Sequence, residues 1–135
     1  MIIKRILLIA TIGAFGGVVL WQGCDGSNPL NYSALQQINF PPSNVSYSVD
    51  VQPMFNIGCT ISGCHNDNDM AGGLSLTTWV HANADPGNIV RYNPNASKLY
   101  EVMAGKLSHN GNPVDTIKNH IQGIYDWILE GAPNN

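Results

Sequence analysis

The sequence predicts a small all-α domain: three main helices joined by long Gly/Asn-rich loops. Three observations carry that prediction. Apolar residues recur at helical spacing in three separated segments, each opened by a capping residue or proline and closed at glycine. Gly, Pro, Asn and Ser are frequent between those segments, where they favour turns over regular structure. The chain has 135 residues, enough for one domain.

The first helix is expected from Asp50 to Ile57. Asp50 serves as N-cap, Pro53 falls in the tolerant first turn, and Val51, Met54 and Phe55 share a face. Gly58 ends it just before Cys59. The second helix is expected from Pro94 to Ala104. Asn93 caps it, Pro94 takes the first helical position and Gly105 supplies the C′ residue, with Leu99, Val102 and Met103 as the apolar stripe. The third carries the strongest pattern, from Thr116 to Glu130. Asp115 is its cap, Ile117, Ile121, Ile124 and Ile128 recur at helical spacing beside Trp127, and Gly131 and Pro133 stop it. Between the first two helices, residues 66–93 read as loop, with a short extended piece around Leu74 to Trp79. No internal repeat is present.

The start of the chain has a different character. Lys4 and Arg5 precede an apolar run from Ile6 to Trp21, and a small residue and a cysteine follow. This is the layout of a secretory signal. The run is shorter than the roughly 18 residues of a membrane span, and its glycines weaken a helix. Residues 1–23 are therefore expected to be a lipoprotein-type signal peptide, residues 24–46 a flexible tether, and residues 47–135 the folded domain. Leu20-Trp21-Gln22-Gly23-Cys24 resembles a bacterial lipobox, which makes Cys24 the lipidation residue. Trp21 stands where that motif prefers leucine, and the alternative is an ordinary signal with an incidental cysteine. The lipobox implies export to the periplasm or cell surface with a lipid anchor in a bacterial membrane.

Removing the signal leaves four basic against nine acidic side chains, a net charge near −5. No basic run points to nucleic acid. A protein partner chosen by charge would present a basic face. Triplets of N-x-S type at Asn31, Asn44 and Asn95 are common by chance in an Asn-rich chain.

The chemistry concentrates in NIGCTISGCHNDND, residues 56–69. Two of the three cysteines, Cys59 and Cys64, lie there, with His65 directly after the second. A disulfide between Cys59 and Cys64 would close a small ring with little effect on chain entropy and give His65 no role. A structural zinc ion wants four ligands from two separated places, whereas His81, His109 and His120 are scattered. A c-type haem motif uses all three residues. Two sulfurs join the porphyrin edge as thioethers, and the adjacent histidine turns under the ring to the iron. The usual spacing is C-x-x-C-H; here it is C-x-x-x-x-C-H, a rarer variant.

With that motif in place, the chain resembles the small monohaem cytochrome c domains of bacterial exported proteins and lipoproteins, related to the planctomycete-type cytochrome c domain. The stretches that carry the resemblance are YSVDVQPMFNIGCTISGCHN, AGGLSL, NPNASKLYEVMAG and IQGIYDWILEGAPNN, spread over residues 47–135. The resemblance implies a cytochrome c-like fold around one covalent haem c, with the first and last helices crossing. It also implies thioethers at Cys59 and Cys64 and His65 as the proximal iron ligand. The family's Met-Pro-Pro stretch, source of the second axial ligand, is replaced here by KLSHNGNPVD. His109 stands near that methionine's place and is the expected distal ligand. Met103 is the first alternative, although its place on an apolar stripe also fits core packing. His120, His81 and an open site follow, while Met70 is too near His65 in sequence to reach the opposite face.

The expected function is electron transfer outside the cytoplasm, with redox proteins as partners and no enzymatic activity. No distal Arg–His pair of the peroxidase kind is present in the sequence pattern. The competing expectations are a haem-bearing structural subunit that self-assembles at the surface, and a ligand-binding or sensor domain with an open axial site. The lipobox reading is checked by fractionating bacterial cells that express the full chain. The wild type should be found with membranes and carry a lipid-modified cysteine at its new N-terminus. Cys24→Ser should release it to the soluble fraction.

Overall fold

The computed structural model describes residues 31–109 and 117–135. The signal peptide, Cys24, the Asp115 cap and the Thr116 helix start lie outside them. The described residues are helical, without β-strand, as the all-α expectation requires. None of their helices is long and apolar enough to cross a membrane.

The chain enters through α1, Tyr32–Leu35, where the Asn31 side chain accepts a hydrogen bond from the Ala34 amide. A π-type turn, Tyr47–Val51, runs into α2, Gln52–Gly58. The helical region thus opens before Asp50, and Ser46 rather than Asp50 caps it. Asp50 still contributes, because its Oδ2 accepts from the Ser46 amide at 2.8 Å while Ser46 Oγ accepts from Val49. This reciprocal pairing satisfies donors at the helix start. Val51, Met54 and Phe55 are buried together, as their spacing predicts.

The expected second helix is divided. Pro94–Ala96 forms a 3₁₀ turn, Ser97 is extended, and α4 spans Lys98–Met103. Ser97 Oγ donates to the Asn93 carbonyl and accepts from the Val90 amide at 2.8 Å, a local alternative to helix bonding. Gly105 follows α4 with φ of +70°, as a C′ residue should. The extended piece expected at Leu74 to Trp79 pairs with no strand; Thr78 instead caps a short helix, α3, Trp79–Ala82.

Helix α5, Lys118–Leu129, presents Ile124, Trp127 and Ile128 to the core with no exposure. Each such side chain contributes about 1.5–3 kcal/mol of burial. The 94–103 segment packs against it. Tyr47 meets it through a ring contact with Trp127 at 5.6 Å. That contact joins the first helical segment to the last. Burial lifts the Tyr47 phenol to about 12.

Residues 31–46 correct the expected tether. Leu35, Phe40 and Val45 are 0, 3 and 0 % exposed, so this stretch is part of the domain. It runs alongside α5 and is bonded to it repeatedly. The Phe40 amide donates to Asn119 Oδ1 at 2.7 Å, and Asn119 Nδ2 returns a bond to the Phe40 carbonyl. The Asn44 and Val45 amides both donate to the Glu130 carboxylate. The Phe40 ring lies directly on Gly123, where an added Cβ would stand 2.1 Å from Phe40 Cδ1. Gly123 is therefore a packing glycine, and Gly123→Ala should cost about 1–3 kcal/mol by overpacking. Urea titration of the variant checks this; an unchanged midpoint would show that the strap does not need this close approach.

Candidate functional site

The site is built from two helix ends, the end of α2 and the segment that follows α4. Helix α2 closes with the Cys59 amide donating to the Phe55 carbonyl at 2.8 Å. The spacer then folds back, and the His65 amide donates to the Cys59 carbonyl at 3.0 Å. One backbone bond thus links the first and last residues of the motif across the longer spacer. Gly63, with φ of +80°, takes the left-handed turn this demands. Two side chains brace the turn from outside. Asp69 Oδ2 accepts from the Gly63 amide at 2.6 Å, and Asn66 Nδ2 donates to the Ile61 carbonyl at 3.0 Å. Asn66 Nδ2 also donates to Asp69 Oδ2 at 2.6 Å, and this bond first and the Gly63 amide next hold the Asp69 carboxyl below the usual carboxylate range. Cys59, Cys64 and His65 are all half-buried. Cys64 is disulfide-bonded in this structure, and its sulfur becomes a free thiol only once that bond is reduced.

His65 and His109 meet through their Nε2 atoms, with the ring planes tilted by 53°. Their Nε2 atoms are 3.4 Å apart and their ring centroids 5.7 Å. His65 Nδ1 lies 3.3 Å from the Leu74 carbonyl oxygen, which can only accept. That contact selects the Nδ1–H tautomer and leaves the lone pair on Nε2. His109 Nδ1 is buried and has no hydrogen-bond partner among the described residues. Neither neutral tautomer of His109 satisfies the pair. A proton on His109 Nε2 gives a long bond to His65 and leaves a buried bare lone pair at Nδ1. A proton on Nδ1 leaves a buried N–H without acceptor and aims two Nε2 lone pairs at each other. A cation between the two Nε2 atoms would relieve the lone-pair opposition of the second arrangement, while His109 Nδ1–H would still lack an acceptor among the described residues.

The other sequence candidates lie in different surroundings. Met103 is buried in the hydrophobic core. His120 is buried, its Nε2 2.9 Å from the Ile38 carbonyl and its ring against Phe40. His81 is exposed, with Nδ1 3.1 Å from Asp67 Oδ1. Met70 is exposed. Of these candidates, His109 is the one the fold brings to His65. Among the described residues no cluster of three or more His, Cys, Asp and Glu side chains is arranged to hold a bare metal ion.

The sequence reading missed the Leu74 carbonyl and the Asn66–Asp69 brace. A backbone acceptor leaves no signal in residue type. The brace did leave one, since an Asn-Asp-Asn-Asp run readily forms side-chain-to-backbone turns. Comparison with protein-family models, curated proteins and solved structures returns no match. The resemblance to cytochrome c domains therefore rests on the quoted stretches alone.

Burial, and then the charge of His65, hold His109 below the ordinary histidine value of 6.5. The folded chain thus binds this proton less readily than the unfolded chain. The stability involved is intact above the unfolded value and is lost as pH falls through the lower folded one. The haem-free chain should accordingly lose stability from pH 7 to pH 5, and His109→Ala should flatten that slope. Denaturant titrations at the two pH values measure both; equal slopes would contradict a depressed His109.

Proposed function

We propose that this chain is an electron-transfer protein of the cytochrome c type, exported and lipid-anchored at Cys24. In this reading one haem c is attached through thioethers at Cys59 and Cys64, with His65 and His109 as its axial ligands. The observation that carries the reading is the opposed pair of Nε2 atoms, 3.4 Å apart, drawn from residues 44 positions apart in sequence. Imidazole nitrogens bind transition metals at about 2 Å, so two of them on opposite sides of one metal stand about 4 Å apart. The pair needs to part by only roughly half an ångström to reach that span.

Two imidazoles are too few for a bare metal site, but they complete an iron whose other four ligands are porphyrin nitrogens. Cysteines beside one of the two histidines then have a purpose that zinc does not give them. Apolar side chains next to the histidines remain partly in water: Ile61 and Leu74 near His65, and Leu107, 43 % exposed, near His109. A flat apolar macrocycle would cover such surface.

Bound haem supplies a one-electron ferric/ferrous couple. The chain's residues set its terms. The Leu74 carbonyl orients the His65 ring and increases its basicity as a ligand. His109 would be the second protein ligand and would keep water and exogenous ligands from the iron. Two imidazoles favour ferric iron more than an imidazole–thioether pair does, which lowers the potential. The absence of an open axial position suits electron transfer better than ligand binding. The acidic mature chain would meet a redox partner through that partner's basic face.

Ferric and ferrous visible spectra test this reading. The wild-type holoprotein should be low-spin and six-coordinate in both states. His109→Ala should become high-spin and bind carbon monoxide rapidly when reduced. An unchanged variant spectrum would remove His109 as a ligand.

A further inference from the structure

We infer that Asp67 is a positioning residue for His65, acting through the Leu74 carbonyl. The inference rests on the assignment of His65 as an iron ligand. Its starting point is the length of the His65 Nδ1 to Leu74 oxygen contact, 3.3 Å, at the long end for a hydrogen bond. A contact this marginal depends on what holds the carbonyl in place. Leu74 follows Gly72 and Gly73, both at positive φ, and the segment from Leu74 to Thr78 has no regular secondary structure of its own. Glycines of this kind give the chain freedom. Something else must fix Leu74.

The Leu74 amide donates to the Ala71 carbonyl at 3.3 Å and Gln52 Nε2 to the Leu76 carbonyl at 3.1 Å, and two further attachments tie the segment to the loop of His65 itself. The Leu76 amide donates to the His65 carbonyl at 2.8 Å. Asp67, two positions after His65, reaches across to the same segment with a single oxygen. Its Oδ1 accepts from Ser75 Oγ at 2.6 Å, from Thr77 Oγ1 at 2.7 Å and from His81 Nδ1 at 3.1 Å. Ser75 is the residue next to Leu74 and is only 4 % exposed. The carboxylate therefore staples the segment to the histidine's own loop on either side of Leu76. The Ser75 and Thr77 bonds, in that order, hold the Asp67 carboxyl below the usual carboxylate range.

The three donors do not contribute equally. His81 and Asp67 are 50 and 56 % exposed, so their ion pair is screened by water. The two hydroxyl bonds are short and run to an ionised acceptor, the stronger class of hydrogen bond. Asp67 thus works chiefly as a hydrogen-bond acceptor for Ser75 and Thr77. Without it, the Leu74 carbonyl is released, the Nδ1–H tautomer of His65 is no longer selected, and the Nε2 lone pair is no longer reserved for iron.

The test uses nitrogen NMR of labelled imidazoles in the reduced, haem-free full-length chain at fixed neutral pH. The wild-type His65 should be mainly the Nδ1–H tautomer. Asp67→Ala should shift the population towards the Nε2–H tautomer that an unconstrained neutral histidine favours, because which nitrogen carries the proton is set by the hydrogen bond the other makes. Asp67→Asn, which keeps an Oδ1 acceptor, should stay close to wild type, and so should His81→Ala. If Asp67→Ala does not fold, as judged by circular dichroism, the milder Ser75→Ala/Thr77→Val pair should give the same shift in part. In the haem-loaded protein Asp67→Ala should raise the reduction potential, and Asp67→Asn should restore it. A folded Asp67→Ala, or a folded Ser75→Ala/Thr77→Val pair, with the wild-type tautomer would overturn the role of Asp67 while leaving the haem assignment standing. A wild-type chain that never takes up haem would overturn the role toward iron, whatever the tautomer result.

Discussion

The buried face of α5 is the constraint on which the rest of the structure depends. Ile124, Trp127 and Ile128 have no solvent exposure, and the Tyr47 start of the α2 segment, the 94–103 segment and the stretch around Phe40 all meet this helix. Tyr47 fixes the start of the α2 segment on Trp127, and the 94–103 segment that ends in α4 packs on the same helix. His65 follows α2 and His109 follows α4. Two loops that have no regular structure of their own are thereby brought to one place by a shared support. The 3.4 Å separation of the imidazoles is a consequence of that docking more than of any local sequence around either histidine.

The strap from Leu35 to Val45 extends the same logic. A chain of this size has little core to spare. It gains some by laying Phe40 over Gly123 and by capping the strap's amides with Asn119 and Glu130. The end of the chain takes part as well, with the Tyr47 and Ser48 amides bonded to Asn135. The strap and the C-terminal residues fasten the α2 start to the far end of α5.

The legible parts of the sequence were those with a period or an adjacency. The isoleucines of α5 and the Val51–Met54–Phe55 face showed themselves by helical spacing, and the packing followed. Cys59, Cys64 and His65 showed themselves as neighbours. The strap did not, because Leu35, Phe40 and Val45 are isolated apolar residues at irregular intervals among prolines and asparagines. Ser97 split the second helix through a hydroxyl bond that no propensity scale anticipates. His109 entered only through the family resemblance, since nothing in KLSHNGN declares a ligand. The Leu74 carbonyl and the Asp67 staple were invisible because they are contacts between loop residues eight or more positions apart. Loops without periodicity carry their geometry in such pairs.

The central claim is that the cysteines beside His65 carry a haem. Intact and peptide mass spectrometry of protein made in a bacterial host that attaches haem to a control cytochrome tests it most directly. A haem at this motif makes the mature chain heavier by one haem, with the added mass on the peptide that contains Cys59 and Cys64 and lost from both sulfurs together in the double serine variant. A polypeptide of unmodified mass, with both cysteines as thiols or disulfides while the control is fully loaded, would contradict it.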